Sequence, residues 1–317
     1  MPSVRQLEYL LAIAEIRHFR RAAEKLGVSQ PTLSAQLSAL EARLGVQLVE
    51  RSRSRVMLTP VGIDVCKAAR RVCRDIQEIK DIAAGQSGVL AGTVKLGLPP
   101  TIGPYLLPRL VPRIHKAYPK LKLHVREEMP QSLPGSLEDG RYDVVIMPVP
   151  VRSTELESIP LFREPLYLVV PAGSPLAKHD KIERKALRGQ SILTLETGHQ
   201  LREQVDAICE EFGARLLSNF EGTSLDTLRQ MVGMEMGSSF LPGLYVHSAL
   251  GRDNSVKAME LKGRALYRTI GIVWRRASAR NIEFQRLAQH IRDTVKRGFP
   301  SFQVLQAAER RKTSSID

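Results

Sequence analysis

Cysteine is scarce, with only Cys66, Cys73 and Cys209 in 317 residues. An odd trio without metal-ligand spacing fits a reducing cytosol better than a disulfide framework. Aromatic residues are also few, at 5%, with one tryptophan. No apolar run approaches the roughly 20 residues needed to span a bilayer, so no membrane partner is expected. The opening stretch carries Glu8 and Glu15 inside its apolar patch, which predicts no secretory signal and a cytoplasmic location. Catalytic patterns are missing as well: there is no nucleophile elbow, no His-Glu-x-x-His and no P-loop. His199 has no evident partner in the sequence. Neither an enzyme, nor a cofactor, nor a bound metal is expected. Acidic residues are in deficit, 33 Asp+Glu against 47 Lys+Arg, giving a formal charge of +14. That field favours polyanions: nucleic acid, an anionic surface or acidic ligands.

What is present reads as a globular chain, 43% hydrophobic and 25% charged, long enough for two or three folding units. Residues Gln6 to Ile16 place Leu7, Leu10, Leu11 and Ala14 at helical spacing, and Phe19 to Leu26 form a second short helix. Gly27-Val28 breaks it. Ser29 offers an N-cap and Pro31 stands in the first turn of a third helix, where its missing N–H costs little. Leu33, Leu37, Leu40 and Leu44 form one narrow core stripe on that helix. The other side carries Pro31, Thr32, Ala35, Ser38 and Ala39, small and almost uncharged, as a helix entering a major groove requires. Gln30 can bond base edges, and Pro31, Thr32 and Ala35 can touch thymine methyls. Taken alone, such a helix is equally an ordinary solvated one. The next residues tip the reading: Gln47–Arg51 and Val56–Thr59 read as short strands joined by Ser52-Arg53-Ser54-Arg55. A hairpin tipped with Arg51, Arg53 and Arg55 is a wing suited to phosphates or a narrow minor groove.

The stretch Phe19 to Ser34, continued by Leu40-Glu41, Leu44-Gly45, Leu48-Val49-Glu50-Arg51 and Leu58-Thr59-Pro60-Val61-Gly62, resembles the LysR-type signature over some sixty residues. The resemblance implies a transcription regulator with a winged helix-turn-helix, binding dyad sites in double-stranded promoter DNA as a dimer of dimers. Thr59-Pro60 then opens a long helix. Val65, Ala69, Val72, Ile76, Ile79 and Ala83 alternate in steps of four and three over residues 61–84, a coiled-coil seam that predicts self-association. Cys66 and Cys73 lie one heptad apart and cannot bridge within the helix, their Cα atoms being about 10 Å apart. They read as small buried residues.

Beyond a Gly-rich hinge, strands and helices alternate. Val94–Leu98, Lys122–Glu127, Tyr142–Met147, Leu166–Val170, Ser191–Leu195, Ser239–Leu241 and Thr269–Trp274 read as strands. Helices open at Thr101, Leu133, Leu201, Ser224 and Ile282. This spacing argues a parallel α/β sheet. The predicted organisation is multidomain α/β: a winged helix-turn-helix over 1–60, a linker and dimerisation helix with hinge over 61–91, and an effector-binding domain over 92–302. That domain is expected to hold two Rossmann-like lobes of periplasmic-binding-protein type, followed by a disordered tail over 303–317. In open α/β sheets ligands lie beyond the carboxyl ends of strands, at helix N-termini. Thr101, Gly198-His199-Gln200 and Thr223-Ser224 occupy such places. Each alone is an ordinary cap or loop residue. Their convergence in one cleft, together with Arg268, would bind a small polar effector, anions included.

This half of the chain is similar to the OxyR-type peroxide regulators. The similarity runs through Lys95–Pro108, Pro119-Lys120-Leu121, Leu193–Gln204, Thr223–Arg229 and Arg268–Gly271. In that subfamily the residue after the Gly-His pair is a cysteine that peroxide oxidises; here it is Gln200. The resolving cysteine has a counterpart in Cys209, the redox candidate. An amide cannot enter the sulfenic-to-disulfide ladder, so a switch between positions 200 and 209 is closed to this chain. Two origins fit: a paralogue sensing a different small molecule, or a peroxide sensor altered at its reactive residue. The resemblance further implies a homotetramer joined through linker helices and sensor domains, and contact with RNA polymerase.

Overall fold

The computed structural model describes residues 1–51, 56–83, 90–263 and 266–306. The chain divides into two compact units, Met1–Ser87 with Glu138–Arg141 as one and the remainder as the other.

In the first unit, α1 (Val4–Ile16), α2 (Phe19–Leu26) and α3 (Gln30–Leu44) precede a two-stranded ribbon, β1 (Val49–Arg51) and β2 (Val56–Leu58). Ser3 and Gln6 close a reciprocal capping box at the start of α1. Gly27 ends α2 with φ +65°, a left-handed value that glycine adopts without Cβ strain. Leu33, Leu37 and Leu40 of α3 are fully buried with Leu10, Ile13 and Ala22, each such leucine contributing roughly 2 kcal/mol. Leu44, expected in the same stripe, lies at the rim of the unit and is 37% exposed. The ribbon is antiparallel, with Glu50 opposite Met57. Glu41 anchors it by accepting from the Leu48 and Val49 amides at 2.8 and 3.1 Å.

The long helix α4 (Pro60–Ala83) begins where the Thr59 hydroxyl accepts from the Gly62 amide at 2.9 Å. A Cβ on Gly62 would stand 2.0 Å from the Leu48 carbonyl oxygen, so only glycine lets the helix approach. Val65 and Cys66 join the core of the winged unit, and the first turns of α4 therefore belong to it. The apolar seam read across the whole helix is divided: Val72 and Ile79 are 42% and 64% exposed. Ala83 ends the described part of the helix.

The second unit runs through β3 (Gly92–Leu98), α5 (Gly103–Ala117), β4 (Leu121–Glu127), α6 (Leu133–Glu138) and β5 (Val144–Pro148). The sixteen-residue strand β6 (Leu156–Pro171) follows, then β7 (Lys181–Ile182), β8 (Ser191–Leu195), α7 (Gln200–Phe212), β9 (Arg215–Gly222) and α8 (Leu225–Gly233). The chain continues with β10 (Ser238–Pro242), α9 (Gly243–Ala249), β11 (Val256–Leu261), β12 (Tyr267–Arg275), α10 (Asn281–Gly298) and β13 (Gln303–Val304). Strand order is β4-β3-β5-β12-β6-β10-β8-β9.

These strands make two lobes that share β6. Its first half pairs with β12 and its second half with β10 and β11. In the first lobe, α5 and α10 cover one sheet face around Trp274, Phe162 and Phe284, and Leu133 and Leu137 of α6 pack on the other. In the second lobe, α7 and α8 pack on β8 and β10 through Val205, Ile208, Leu228 and Val232. Parallel pairing, expected throughout, holds between β3, β4 and β5 and between β8, β9 and β10. The strands that link the lobes break it: β12 runs antiparallel to both β5 and β6. Gln303 and Val304, expected in the tail, instead pair with Arg163 and Phe162. Buried Phe299 and Phe302 hold that segment against the sheet. The rest of the expected tail, from residue 307, lies outside the described residues.

Candidate functional site

At the start of α3 the Ser29 hydroxyl accepts from the Thr32 amide at 3.2 Å and lies 2.8 Å from the Thr32 hydroxyl. The first turn is thus satisfied by its own residues. Gln30, Pro31, Thr32, Ala35 and Ser38 are all exposed on one side of the helix whose other side is the leucine core. The Gln36 side-chain oxygen accepts a hydrogen bond from the side-chain amide of buried Gln6 at 3.2 Å. Arg51 ends β1; its side chain, and Arg53 and Arg55, lie outside the described residues.

In the second unit, chemistry gathers where β12 passes β6. Arg268 and Glu164 form an ion pair, their side chains 4% and 0% exposed. The same guanidinium donates to the Thr101 hydroxyl at 3.0 Å and to the Thr101 carbonyl at 2.9 Å. The other Glu164 oxygen accepts from the Leu244 amide at 2.8 Å, at the start of α9. Burial pushes the Glu164 carboxyl above its ordinary value, against the pull of Arg268 and of the Leu244 N–H. Four chain segments, after β3, in β6, at α9 and in β12, therefore meet in one desolvated network.

Beside this network a cavity of about 380 Å³ opens between the lobes. Pro148 and Val149 border it from the first lobe, Gln200, Glu203 and Gln204 from the first turns of α7, and Tyr267, Arg268 and Thr269 from β12. The Gln204 amide donates to the Tyr267 carbonyl at 2.7 Å, tying α7 to β12. His199, just before α7, has extended backbone and makes no side-chain cap bond. It is 2% exposed, and its Nδ1 has no partner among the described residues. Burial lowers its pKa although Glu196 pulls the other way, so the ring is neutral at pH 7. Gly198 has φ +101°, and a Cβ there would meet the Gln131 amide nitrogen of the first lobe at 2.7 Å. Cys209 is 3% exposed within the second lobe's core, its thiol pushed up to about 11 by burial and by Asp206. It stands nine residues beyond Gln200, about 13.5 Å along the helix axis.

The three helix starts named from sequence do not converge in one place. Gln200 and Arg268 border the cavity, with Gly198 and His199 directly before Gln200. Thr101 reaches it only through Arg268. Thr223 and Ser224 are exposed and do not border it. Ser224 caps α8, accepting from the Thr227 amide at 3.1 Å. Glu164, Gln131, Gln204 and Tyr267 were not anticipated. One of them left a trace: Glu164 is the lone carboxylate of the stretch Leu161 to Val170, which is apolar but for it and Arg163, and such a residue calls for a buried partner.

The family model for the bacterial regulatory helix-turn-helix protein, lysR family, matches residues 4–63, and that for the LysR substrate binding domain matches residues 87–296. The chain belongs to the LysR family. It is 40% identical over 290 residues to the DNA-binding transcriptional dual regulator OxyR of Escherichia coli K12, spanning 92% of this chain and 95% of that one. A full-length OxyR from Pseudomonas aeruginosa, with a cysteine replaced by aspartate, superposes with a TM-score of 0.77 at 35% identity over 92% and 94% of the chains. A cysteine-to-serine variant of Corynebacterium glutamicum OxyR, bound to hydrogen peroxide, gives 0.66 at 31% identity over 94% of each. This LysR-family protein is a DNA-binding transcription regulator, OxyR-like, with a C-terminal regulatory domain. Regulators of this type bind promoter DNA and oligomerise. Among the described residues no helix is long and apolar enough to cross a membrane.

Proposed function

We propose that this regulator is switched by reversible binding of a small polar effector in the cavity between the lobes, without a disulfide step. The observation that carries the reading is Gln200, first residue of α7, bordering that cavity beside Arg268. A glutamine offers both N–H and C=O groups, and no thiol stands at the helix start to be oxidised. Cys209 is withdrawn into the core with its thiol held protonated, so it is no ready nucleophile. Hydrogen peroxide, held as a ligand and not consumed, is the first candidate, since a relative has been seen with peroxide bound. An anionic metabolite is the second, since the wall carries an arginine. An oxidative-stress role follows only from the first.

DNA reading falls to Ser29, Gln30, Pro31, Thr32, Ala35 and Ser38, with Arg51, Arg53 and Arg55 on the backbone. The exposed Val72 and Ile79 of α4 pair with a second copy, and sensor domains complete a tetramer. Occupancy of the cavity alters how the DNA-reading units are spaced on the promoter and how they meet RNA polymerase, in the cytoplasm.

The test titrates hydrogen peroxide, small carboxylates and inorganic phosphate against the full chain. Melting temperature and affinity for a duplex selected from a random pool are followed. At least one compound is expected to shift both, with the shift abolished by Gln200→Trp, which fills the cavity. A compound that shifts both equally in Gln200→Trp refutes the site. For the reading head, Gln30→Ala is expected to lose preference for the selected duplex while keeping salt-sensitive affinity for random DNA.

A further inference from the structure

The two lobes of the regulatory domain differ in how they treat charge. Residues 166–265, the second lobe, carry 12 Lys+Arg against 12 Asp+Glu, whereas residues 90–165 and 266–306, the first, carry 18 against 10. In the second lobe three surface lysines are each matched by a carboxylate: Lys181 with Glu260 at 2.6 Å, Lys257 with Asp180 at 3.1 Å, Lys262 with Glu183 at 2.9 Å. Ion pairs of the first lobe sit largely out of solvent, as Arg268 with Glu164 and Arg280 with Glu283. The excess is therefore on its outside.

It gathers where α5 and α10 lie side by side. Two bonds set them antiparallel: Arg109 donates to the Gly298 carbonyl at 3.0 Å, and His290 meets the Tyr118 hydroxyl at 3.0 Å. Arg109, Arg113 and Lys116 recur at i, i+4 and i+7 on α5, on the flank that meets α10. Arg286 and Arg297 share the His290 side of α10, with Lys296 beside them. None of these six makes a carboxylate pair among the described residues. The acid on that side, Asp293, accepts from Gln289 at 3.0 Å. Helix dipoles favour Lys116, Lys296 and Arg297 in last turns but give no reason for Arg113 or Arg286.

We propose that this α5–α10 seam is a second, sequence-independent contact surface for the phosphates of double-stranded DNA. Four of the six cations are arginines, the side chain whose planar fork matches phosphate. From Arg286 to Arg297 the seam runs about 16 Å, the axial length of four or five phosphates on one strand. The side of α10 between them offers Asp293 and His290 and no large apolar anchor, which a membrane surface or a tight protein interface would require. A weak phosphate contact suffices, because a regulator already holding its operator meets the rest of the duplex at high effective concentration.

The test uses the full chain and a duplex selected by it from a random pool, made as 60 and as 24 base pairs around the selected core. Fluorescence anisotropy between about 50 and 300 mM KCl gives affinity and its salt slope. The variant Arg113→Glu/Arg286→Glu/Arg297→Glu is expected to bind the longer duplex about tenfold more weakly, with a slope shallower by about 2 to 3. The shorter duplex is expected to show no change, and the matching triple lysine variant to behave as wild type on both. If the glutamate variant melts early, the triple glutamine variant replaces it, with half the charge change. Equal slopes on the longer duplex overturn the proposal, as does an equal loss on both lengths. So does binding of the wild type, but not the variant, to phosphatidylglycerol vesicles with DNA affinity unaltered.

Discussion

Two helices of this regulator open onto surfaces of consequence, and they open differently. Ser29 caps α3 through its own hydroxyl, and the residues that follow are bare, small and exposed. His199 precedes α7 without capping it, its ring buried, while the first turn borders a cavity built with two other segments, Pro148-Val149 and Tyr267–Thr269. One surface is written in consecutive residues; the other exists only after distant strands have met. Disturbance should therefore remain local at α3 and spread widely at α7.

The strongest way to break that contrast is Arg268→Ala. It strands the Glu164 carboxylate in the interior and frees Thr101, at an expected cost of about 3–5 kcal/mol. Urea unfolding followed by Trp274, the chain's one tryptophan, buried in the first lobe's core, reads the loss. A cost under about 1 kcal/mol would show that the network is solvated and the contrast unfounded. Next comes Gly198→Ala, expected to cost about 1–3 kcal/mol, since both the positive φ and Gln131 oppose a side chain. Adding Gln131→Gly should recover the crowding and leave the backbone strain; a thermodynamic cycle on the same fluorescence signal separates them. Ser29→Ala, at about 1 kcal/mol, should raise hydrogen exchange at Gln30 to Leu33 and leave Gln200 to Gln204 untouched.

The smallest effect is a slope with pH. His199 is buried neutral, so its folded pKa lies below its unfolded one. The unfolded chain then binds more protons just below neutrality, and stability rises with pH in that range. The contribution is complete above the unfolded value, near pH 6.5, and is lost as pH falls towards the folded one. His247, lowered by burial and by Arg109, adds a slope of the same sign. His199→Asn should flatten the dependence of the urea midpoint between pH 5 and 7 without removing it, and an unchanged slope would show the imidazole to be free to ionise.

Legibility in the sequence followed the same division. The start and end of α2 and the cap of α3 were read correctly because Gly27, Ser29 and Pro31 act on their immediate neighbours. The wing was found from two short runs and the arginines between them. β6 was half missed: Leu166–Val170 stood out as apolar, whereas Pro160, Pro165 and Glu164 concealed the rest of a sixteen-residue strand. Prolines usually argue against a central strand; this one is shared between two sheets. The partnership of Arg268 with Glu164 spans 104 positions, and no local pattern announces it. Ser224 was placed correctly as a helix start and wrongly expected at the cleft, because a cap reveals where a helix begins and not what lies in front of it.

The shared strand also orders assembly in time. The second lobe is one unbroken stretch inserted between β6 and β12, while the first lobe takes its strands from both sides of that insertion. As the chain leaves the ribosome, β3, β4 and β5 must wait, open on one side, until β12 emerges more than a hundred residues later. The intervening lobe can collapse meanwhile on its own core. The half-built sheet is then the nascent chain's exposed edge, the stage at which a chaperone has something to hold.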